Sequence, residues 1–436
     1  MQKKQKYTGL VWFGNDLRIR DNKVLEKAAN ECQKLIGVYC ISPSLTVPSN
    51  FGFRKLGVYR AKFLLETLSN LQKSLAKKNI SFLVFFDKSQ EKIPEICKEF
   101  KIQRIYKQLE WISEEQKVTR QVRSGVPKIP VEEIYNQFLY HPEDILSDLQ
   151  RIPNVFTAFR KKLEKYVAIR PEVEATKAFD PSNLLGKENL MPSLTDLGFK
   201  PIETDSRTAF PFEGGEHAAL DRLEDYFYRS KKLGFYKKTR NGLLGKDYSS
   251  KFSPWLANGS ISAKSIYWQV KKFETEHYKN QSTYWLVFEL IWRDYFKYIS
   301  IKYQNRIFKL DGILQKEYLW KTESQKVQNW IDGNTQDDFV NANMLELKHT
   351  GWMSNRGRQN VASYFAKELL LDWRIGAAYF EEQLIDYDVH SNYGNWMYVS
   401  GVGNDPRDRK FNTQLQAERY DTNGKFRKLW LQPSIF

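Results

Sequence analysis

LIGVYCI at residues 35–41, VYRAKFLLETLSNLQKSLAKKN at 58–79 and FLVFF at 82–86 decide the fold of the first third of the chain. The two short runs are continuously apolar and rich in β-branched and aromatic residues, which is typical of strands buried on both faces. The long segment between them repeats apolar residues at helical spacing, namely Ala61, Leu64, Leu65, Leu68, Leu71 and Leu75. Strand, helix and strand in this order predict a parallel sheet of the doubly wound type.

Three further apolar runs extend this alternation to either side. They are LVWF at 10–13, RIY at 104–106 and EEIY at 132–135. We therefore predict an α/β domain over residues 1–137. The sequence holds no GxGxxG after these runs and no GxxxxGKS/T anywhere, so the loops of this domain give no sign of dinucleotide or triphosphate binding.

Beyond the predicted sheet the sequence changes character twice. Residues 138–212 are rich in Pro, Asp, Ser and Asn, which predicts a long connector. From 213 to 436 the pattern is almost entirely helical, and one predicted face carries Trp373, Ala377, Phe380 and Leu384. The predicted fold class is α/β plus all-α, with an N-terminal parallel-sheet domain, a connector and a large C-terminal helical domain.

The charge balance favours a polyanionic partner. Lys and Arg number 68 against 52 Asp and Glu, for a net charge of +16 over 436 residues, and nucleic acid is the first candidate for such a basic chain. Three cysteines without CxxC spacing indicate a reducing compartment. The sequence lacks the ~20 consecutive apolar residues of a membrane span, so we expect a soluble, cytoplasmic protein.

Polar side chains that could take part in binding or catalysis concentrate in the helical half. In YKKTRNGLLGKDYSSKFSPWL (236–256), Ser249, Ser250, Lys251 and Ser253 lie at a predicted helix start. Hydroxyl, backbone N–H and ammonium groups there suit a phosphate, although a capped helix without a ligand is the alternative. TGWMSNRGRQN (350–360) crowds aromatic, guanidinium and carboxamide groups together with almost no aliphatic residue.

Two more segments combine rings with polar groups. In YWLVFELIWRDYF (284–296), Glu289 and Trp292 share a helix face and suit a base edge and its ring; the alternative is an intrahelical Glu289–Arg293 pair. In residues 384–407, carboxylates and amides lie close to Trp396 and Tyr398 and could bind a heteroaromatic ring or only cap a helix. The five histidines show no metal-ligand spacing, and GxSxG is absent.

Taken together, these strings resemble the photolyase/cryptochrome family, and their wording is similar to that of its DASH cryptochromes. The resemblance runs nearly from end to end of the chain. It is carried by LVWFGNDLRIRDN, GVYRAKFLLETL, RNGLLGKDYSSKFSPWLANG, STYWLVFELIWRDYF, GWMSNRGRQNVAS and DWRIGAAYFEEQLIDYDVHSNYGNWMYVSGVGNDPR.

The resemblance implies a U-shaped FAD in the helical domain and an antenna chromophore at the α/β domain. By matching positions, the FAD diphosphate would be cradled by Tyr236, Ser249, Ser250, Lys251, Phe252 and Ser253. The flavin and ribose would meet Arg293, Asp386, Asp388 and Asn392, with Asn392 beside the reactive flavin nitrogen. Trp396, Trp373 and Trp320 match an electron-transfer chain to the surface, and Glu110 matches a ligand of a methenyltetrahydrofolate antenna.

The resemblance also implies a substrate, a cyclobutane pyrimidine dimer flipped out of its strand. Glu289, Trp292, Asn355 and Arg356 match the residues that meet such a dimer. Gln359 and Tyr398 stand where the family's dimer photolyases carry Met and a second stacking Trp, and this more polar pocket favours single-stranded DNA, which has less pairing to lose. We therefore expect a monomeric, light-driven photolyase for single strands. The alternative is a blue-light receptor that signals through flavin redox changes and binds DNA, RNA or a protein.

Overall fold

The computed structural model describes residues 7–145, 151–174, 176–186 and 189–432. Its first domain contains a five-stranded sheet, and the strands run in the order β3-β2-β1-β4-β5 with every neighbouring pair parallel. The strands are β1 (Tyr7–Trp12), β2 (Cys32–Ile41), β3 (Ser81–Phe86), β4 (Arg104–Gln108) and β5 (Val131–Ile134). All five apolar runs predicted as strands fall on these elements, with only Phe13 and Tyr135 just beyond the ends of β1 and β5, so the doubly wound sheet is confirmed.

Helices cover both faces of this sheet, as the sequence predicted. They are α1 (Lys23–Glu31), α2 (Val58–Ala76), α3 (Ser89–Glu99) and α4 (Ser113–Gly125). The predicted apolar stripe of α2 is its inner face: Ala61, Leu68 and Leu75 are fully buried, and they share one core cluster with residues of β1 and β2. Burial of this stripe fixes α2 against the sheet.

The connector is more structured than its composition indicates. It contains the helix α5 (Phe156–Tyr166), whose Phe156, Phe159 and Leu163 are buried against the helical domain. Farther on, Asn183 pairs with the backbone of Leu35 through its carboxamide, at 2.9 and 3.0 Å. The described parts of the connector therefore tie both domains together, while its limits at 138 and 212 stay a prediction.

The regular secondary structure of the C-terminal half is almost entirely helical within the described residues. Its α-helices are α6 (Glu216–Glu224), α7 (Tyr236–Thr239), α8 (Ser253–Ala257), α9 (Ala263–Glu276), α10 (Gln281–Tyr303), α11 (Ser324–Ile331), α12 (Asp338–Thr350), α13 (Asn355–Ser363), α14 (Trp373–Gln383), α15 (Val389–Ser400), α16 (Thr413–Tyr420) and α17 (Lys425–Leu431). Single π-helical turns extend α6 at Asp225–Arg229 and α13 at Tyr364–Glu368. Within the described ranges, none of these helices combines the length and apolarity that a membrane crossing demands.

A buried guanidinium group joins the two domains. Arg18, which is 2% exposed, donates to the carbonyl groups of Asp21 at 2.9 Å, Asn136 at 3.0 Å and Gly259 at 3.0 Å. Glu216, at the start of α6, accepts from the backbone N–H groups of residues 19 and 20 at 3.1 and 3.0 Å. These bonds fix the sheet domain against the helical domain, because a buried charge that lost its partners would cost several kcal/mol.

Helix α10 carries a second joint. Asp294 is fully buried and accepts from the backbone N–H groups of Leu139 at 3.0 Å and Tyr140 at 2.8 Å, both in the connector. Burial raises the pKa of Asp294 to about 6, although these hydrogen bonds and Arg293 oppose the rise. The carboxylate therefore holds the connector on α10, although burial of its charge is unfavourable.

Replacing Asp294 by Asn should remove a pH dependence of stability. Because the folded pKa of about 6 lies above the ordinary 3.8, the stability contributed by protonation is complete below pH 3.8 and is lost as pH rises through about 6. The loss amounts to about 3 kcal/mol. Urea unfolding between pH 4 and pH 7 should show this slope in the native protein and not in the variant.

The matched control for this experiment is Asp338→Asn, which removes an exposed carboxylate at the start of α12. That variant should keep the pH dependence of the native protein. An Asp294→Asn variant that follows the native pH profile would contradict the assignment of this titration to Asp294.

Candidate cofactor and nucleic-acid site

The loop before α8 carries a buried ammonium group. Lys251 has a left-handed backbone, with a φ of 66°, and is 2% exposed. Among the described residues its Nζ atom has no hydrogen-bond partner; it lies 3.3 Å from the ring centroid of Tyr248 and 4.5 Å from that of Trp352. Burial lowers the pKa of Lys251 well below its usual value, although Glu346 opposes this. A buried ammonium without a hydrogen-bonded partner favours binding of an anion.

Hydroxyl groups lie around this ammonium. Ser249, Ser250 and Ser253 line a cavity of about 250 Å³ together with Lys251 and Phe252. Tyr236, from α7, is part of the same wall. The structure therefore brings together every residue predicted to hold the diphosphate, and hydroxyl donors next to an ammonium suit a phosphate group.

The shape of this loop depends on a residue that the sequence did not single out. Arg222, on α6, is 2% exposed and donates to the carbonyl groups of Lys246, Ser249 and Ser250 at 3.1, 3.1 and 3.2 Å. It also pairs with Asp247 at 2.9 Å. Because its bonds go to loop carbonyls, Arg222 turns the serine side of the loop toward the cavity.

Carboxylate groups line the same cavity as Lys251. Asp386 pairs with Arg358 at 2.9 Å, and both line the cavity together with Asn355. Arg293, also in the wall, donates to the carbonyl groups of Gln137 at 2.6 Å and Leu256 at 3.1 Å. The cavity wall thus combines cationic groups with carboxylate and carboxamide groups.

Asp388 has a structural role in addition to its place in the wall. Its carboxylate caps α15 by accepting from the N–H of Ser391 at 2.8 Å, and it pairs with the buried Lys297 at 3.1 Å. Burial works against its charge, but Lys297, His390 and Arg293 outweigh burial and hold the pKa of Asp388 below its ordinary value. The capping interpretation is confirmed for this residue, which still lines the cavity.

Asn392 lies one turn into α15 and is 8% exposed. Its amide group donates to the carbonyl of Ala377 at 3.0 Å. A smaller cavity of about 90 Å³ adjoins the first one and is lined by Asn392, Trp396, Asp386 and Asn355. Asn392 is therefore held in place by α14 in the wall of the smaller cavity.

A third cavity, of about 340 Å³, opens beside the first. Its wall includes the predicted substrate residues Glu289, Trp292, Asn355, Gln359 and Tyr398. The walls of the first and third cavities have five residues in common, namely Arg240, Glu289, Arg293, Asn355 and Ser391. The two sites are thus separated by a single layer of side chains.

Glu289 forms its ion pair across the fold and not along its own helix. Its Oε1 atom lies 2.5 Å from Nη1 of Arg240, which also lines the first and third cavities. Burial raises the pKa of Glu289, and Arg240 opposes the rise. The alternative of an intrahelical Glu289–Arg293 pair is wrong, because Arg293 donates to backbone carbonyls in other segments.

One face of the Trp292 ring is already covered. Phe156, on α5, stacks on it with centroids 3.6 Å apart and planes within 8°. Tyr398 meets Trp292 edge-on at 5.8 Å, and its hydroxyl accepts from Arg409 at 2.9 Å. Trp292 can therefore stack a planar ligand on one side only.

Arg356 is placed differently from its predicted partners. It lies at the rim, where it donates to Gln359 at 2.9 Å and Asn241 at 3.2 Å and its guanidinium lies over Tyr420. It is not part of the described cavity walls. Burial lowers its pKa. Among the predicted substrate residues, the structure brings five into one cavity and leaves Arg356 beside them.

Trp396 and Trp373 are buried in the packing between α15 and α14, at 2% and 0% exposure. A Cβ atom on Gly376 would lie 2.3 Å from the Trp396 ring, so this close approach depends on glycine. Gly376 is one helical turn after Trp373. The two indoles therefore lie on adjoining surfaces of one helix pair.

Trp320 lies next to this pair in a half-buried position. The backbone N–H of Lys321 donates to the carbonyl of Leu370 at 2.7 Å, and the backbone N–H of Asp372 donates to the carbonyl of Lys321 at 3.0 Å. These bonds place the segment of Trp320 beside the start of α14, where Trp373 stands. Trp396 lines the smaller cavity, Trp373 is fully buried and Trp320 is half-buried, and electron transfer along these three indoles stays a prediction.

Glu110 lies apart from these cavities, at the junction of the two domains. It accepts from Gln108 at 2.6 Å, and burial raises its pKa against the influence of Lys297 and Lys107. The next residue, Trp111, stacks on His390 of the helical domain at 4.6 Å. A folate ligand at Glu110 stays a prediction.

Two family models match the chain. The model for "DNA photolyase" matches residues 9–179, and the model for "FAD binding domain of DNA photolyase" matches residues 285–434. Together they cover the sheet domain, part of the connector and the segments that form most of the cavity walls.

Relatives are similar over almost the full chain. A cryptochrome DASH of Gloeobacter violaceus is 43% identical over 427 residues, covering 97% of this chain and 85% of that protein. One of Xenopus laevis is 43% identical, covering 96% and 81%. The solved cryptochrome of a Synechocystis species is 42% identical, with a TM-score of 0.93 and coverage of 99% and 89%. The chain therefore belongs to the photolyase/cryptochrome family, among its DASH cryptochromes. It is a flavoprotein of the class used for DNA repair or light sensing.

The residues of the first cavity fit FAD. The orphaned ammonium of Lys251 needs an anion, and the serine hydroxyls beside it can donate to a diphosphate. Asp386, in the same wall, and Asn392, in the smaller adjoining cavity, offer groups that can hydrogen-bond a flavin ring. The match of the FAD-binding model to the segments after 285 agrees with this fit.

Replacing Lys251 by Met should have opposite effects on the two forms of the protein. Without FAD, the variant should be at least as stable as the native protein, because a buried charge without a partner is removed. FAD should bind about 10- to 100-fold more weakly, because a charge-assisted hydrogen bond is worth about 1.5–3 kcal/mol. Fluorescence titration with FAD and urea unfolding of the cofactor-free protein measure both effects.

Lys246→Met is the control, because Lys246 is exposed in the same loop. It should leave FAD affinity unchanged. A Lys251→Met variant with native FAD affinity and reduced stability without FAD would show that the ammonium supports the loop and does not bind the diphosphate.

Proposed function

We propose that this protein uses blue light and reduced FAD to split cyclobutane pyrimidine dimers, mainly in single-stranded DNA. One observation carries the proposal: Glu289 and Asn355 stand in the wall that the first and third cavities share. A cofactor in the first cavity and a flipped-out base in the third cavity would be one side chain apart. An electron can cross so short a gap without a bridging group.

On the cofactor side, the chain binds and orients. When bound, FAD supplies light absorption and an electron for the substrate. Lys251 and the serines would hold its diphosphate, while Asp386, positioned by Arg358, would accept from the flavin ring N–H. Asp388 would contribute toward the ribose and adenine side, and Asn392 would offer its carboxamide to the ring.

On the substrate side, Glu289 recognises the edge of the dimer. Burial favours its protonated form while Arg240 favours its charged form, so the group can either donate to a carbonyl or accept from an N–H. Asn355 adds a second donor and acceptor in the same wall. Trp292, backed by Phe156, provides a rigid surface for one pyrimidine ring.

The polarity of the pocket supports single strands as substrate. Tyr398 meets Trp292 edge-on, and the oxygen of Gln359 is engaged with Arg356. Neither provides a second stacking face. Because flipping a base out of a duplex costs a few kcal/mol, a pocket with one-sided stacking is better suited to strands that are already unpaired. Arg356, at the rim, is placed to meet a backbone phosphate.

Re-reduction of the flavin and light harvesting complete the proposal. Trp396, Trp373 and Trp320 would carry electrons inward from the surface, because indole rings are readily oxidised. Glu110 would hydrogen-bond the pterin of a methenyltetrahydrofolate antenna. Its buried carboxyl group, near Lys297 and Lys107, is chemically suited to that role.

The decisive experiment places one cyclobutane dimer in matched single-stranded and duplex oligonucleotides and follows its loss under blue light with reduced flavin. We expect repair of the single strand and poor repair of the duplex. The double variant Gln359→Met, Tyr398→Trp should gain repair of the duplex, because it restores apolar stacking. Equal repair of both substrates by the native protein would contradict single-strand preference, and repair of neither would favour the light-receptor function.

Replacing Glu289 by Gln should separate cofactor binding from repair. FAD content should stay native, whereas repair of the single strand should fall about 10- to 100-fold, because a charged hydrogen bond to the dimer worth about 1.5–3 kcal/mol is lost. Glu276→Gln, at an exposed position near the end of α9, is the control. Native repair by Glu289→Gln would remove Glu289 from the mechanism.

A further inference from the structure

A tyrosine lies against the outermost tryptophan of the proposed chain. The ring centroids of Tyr318 and Trp320 are 5.3 Å apart, with 52° between the planes. Tyr318 is half-buried, and the next residue, Leu319, is 93% exposed. This aromatic pair therefore stands between the buried indoles and solvent.

The hydroxyl group of Tyr318 is hydrogen-bonded to a carboxylate that can accept its proton. It donates to Oδ2 of Asp408 at 2.9 Å, and Lys367 bonds to the other carboxylate oxygen at 2.5 Å. Partial burial would raise the pKa of Asp408, but Lys367 and Tyr318 outweigh it and hold the pKa below the ordinary value. The carboxylate is thus charged at neutral pH and ready to accept a proton.

The charges around the ring decide how it can be oxidised. Nζ of Lys367 lies 4.8 Å from the Tyr318 ring centroid, so a positive charge on that ring is disfavoured. Burial and Asp408 raise the pKa of Tyr318 to about 12, so the phenol is intact before oxidation. Loss of an electron is therefore favoured only together with loss of the proton.

We propose that Tyr318 is the terminal electron donor to Trp320 and that its proton passes to Asp408. The oxidant is the Trp320 radical cation that the proposed chain generates under light, and the inference rests on that part of the proposed function. One electron moves from Tyr318 to Trp320 while the phenolic O–H bond breaks. The products are neutral Trp320, a neutral Tyr318 radical and protonated Asp408.

This step delays the return of the electron. Recombination requires the proton to leave Asp408 and rejoin Tyr318, which is an additional event before the charge can go back. A reductant in solution then has longer to reach the radical beside the exposed Leu319. Proton-coupled oxidation is thus a role for Tyr318 that packing or helix capping alone would not require.

The test is time-resolved spectroscopy after a light flash on the FAD-loaded protein with oxidised flavin. Transient absorption and electron paramagnetic resonance should detect a tyrosyl radical in the native protein, identified by ring-deuterated tyrosine. Tyr318→Phe should abolish that signal and leave a shorter-lived tryptophanyl radical. Asp408→Asn should do the same while keeping Tyr318, and deuterated water should slow the step in the native protein only.

Two controls separate the possible failures. Tyr228→Phe removes a phenol that donates to Gln269 at 2.9 Å in another part of the helical domain, and it should leave the tyrosyl signal unchanged. Trp396→Phe should abolish all radicals; photoreduction that survives it would overturn the tryptophan chain itself. An intact tryptophanyl signal without any tyrosyl radical, or a tyrosyl radical that persists in Tyr318→Phe, would overturn this inference alone.

Discussion

Helix α10 is the element on which the rest of the structure depends, because its inward face is polar. A buried polar group is tolerated only when it finds a partner, and every partner here comes from outside α10. The pairs are Glu289 with Arg240, Arg293 with the carbonyl groups of Gln137 and Leu256, Asp294 with the N–H groups of Leu139 and Tyr140, Lys297 with Asp388, and Ser300 with Trp111 and His390. One helix thereby fixes the connector, both cavities and the domain junction.

The fold could be predicted from the sequence wherever burial is periodic and local. The five strands and α2 follow from apolar runs that each element shows by itself, and the buried face of α14 was evident from Trp373, Ala377 and Phe380. Helix α5 was missed because its three apolar residues lie in a Pro- and Asn-rich setting. They become a core only against the distant surface of α10, and such a surface is a property of the folded chain.

The sequence predicts which residues line the site but does not predict which residues form hydrogen bonds or ion pairs with one another. Most of the residues expected near the cofactor and the dimer line the cavities, because the resemblance transfers positions well. The partners did not transfer. Spacing along α10 suggested Arg293 for Glu289, whereas Arg240 takes that role and Arg293 turns to carbonyls. Arg222 could not be singled out from the sequence, because an arginine that hydrogen-bonds to loop carbonyls has the same sequence pattern as an exposed arginine on a helix.

The stacking of Phe156 behind Trp292 has a consequence for how such proteins diversify. The back wall of the pocket belongs to the connector, the part of the chain with the weakest sequence pattern. Two relatives with identical pocket residues in the helical domain could therefore differ in selectivity if position 156 differs. Substitutions in the connector would then change which ligand the pocket prefers, and a comparison restricted to the pocket residues of the helical domain would not detect them.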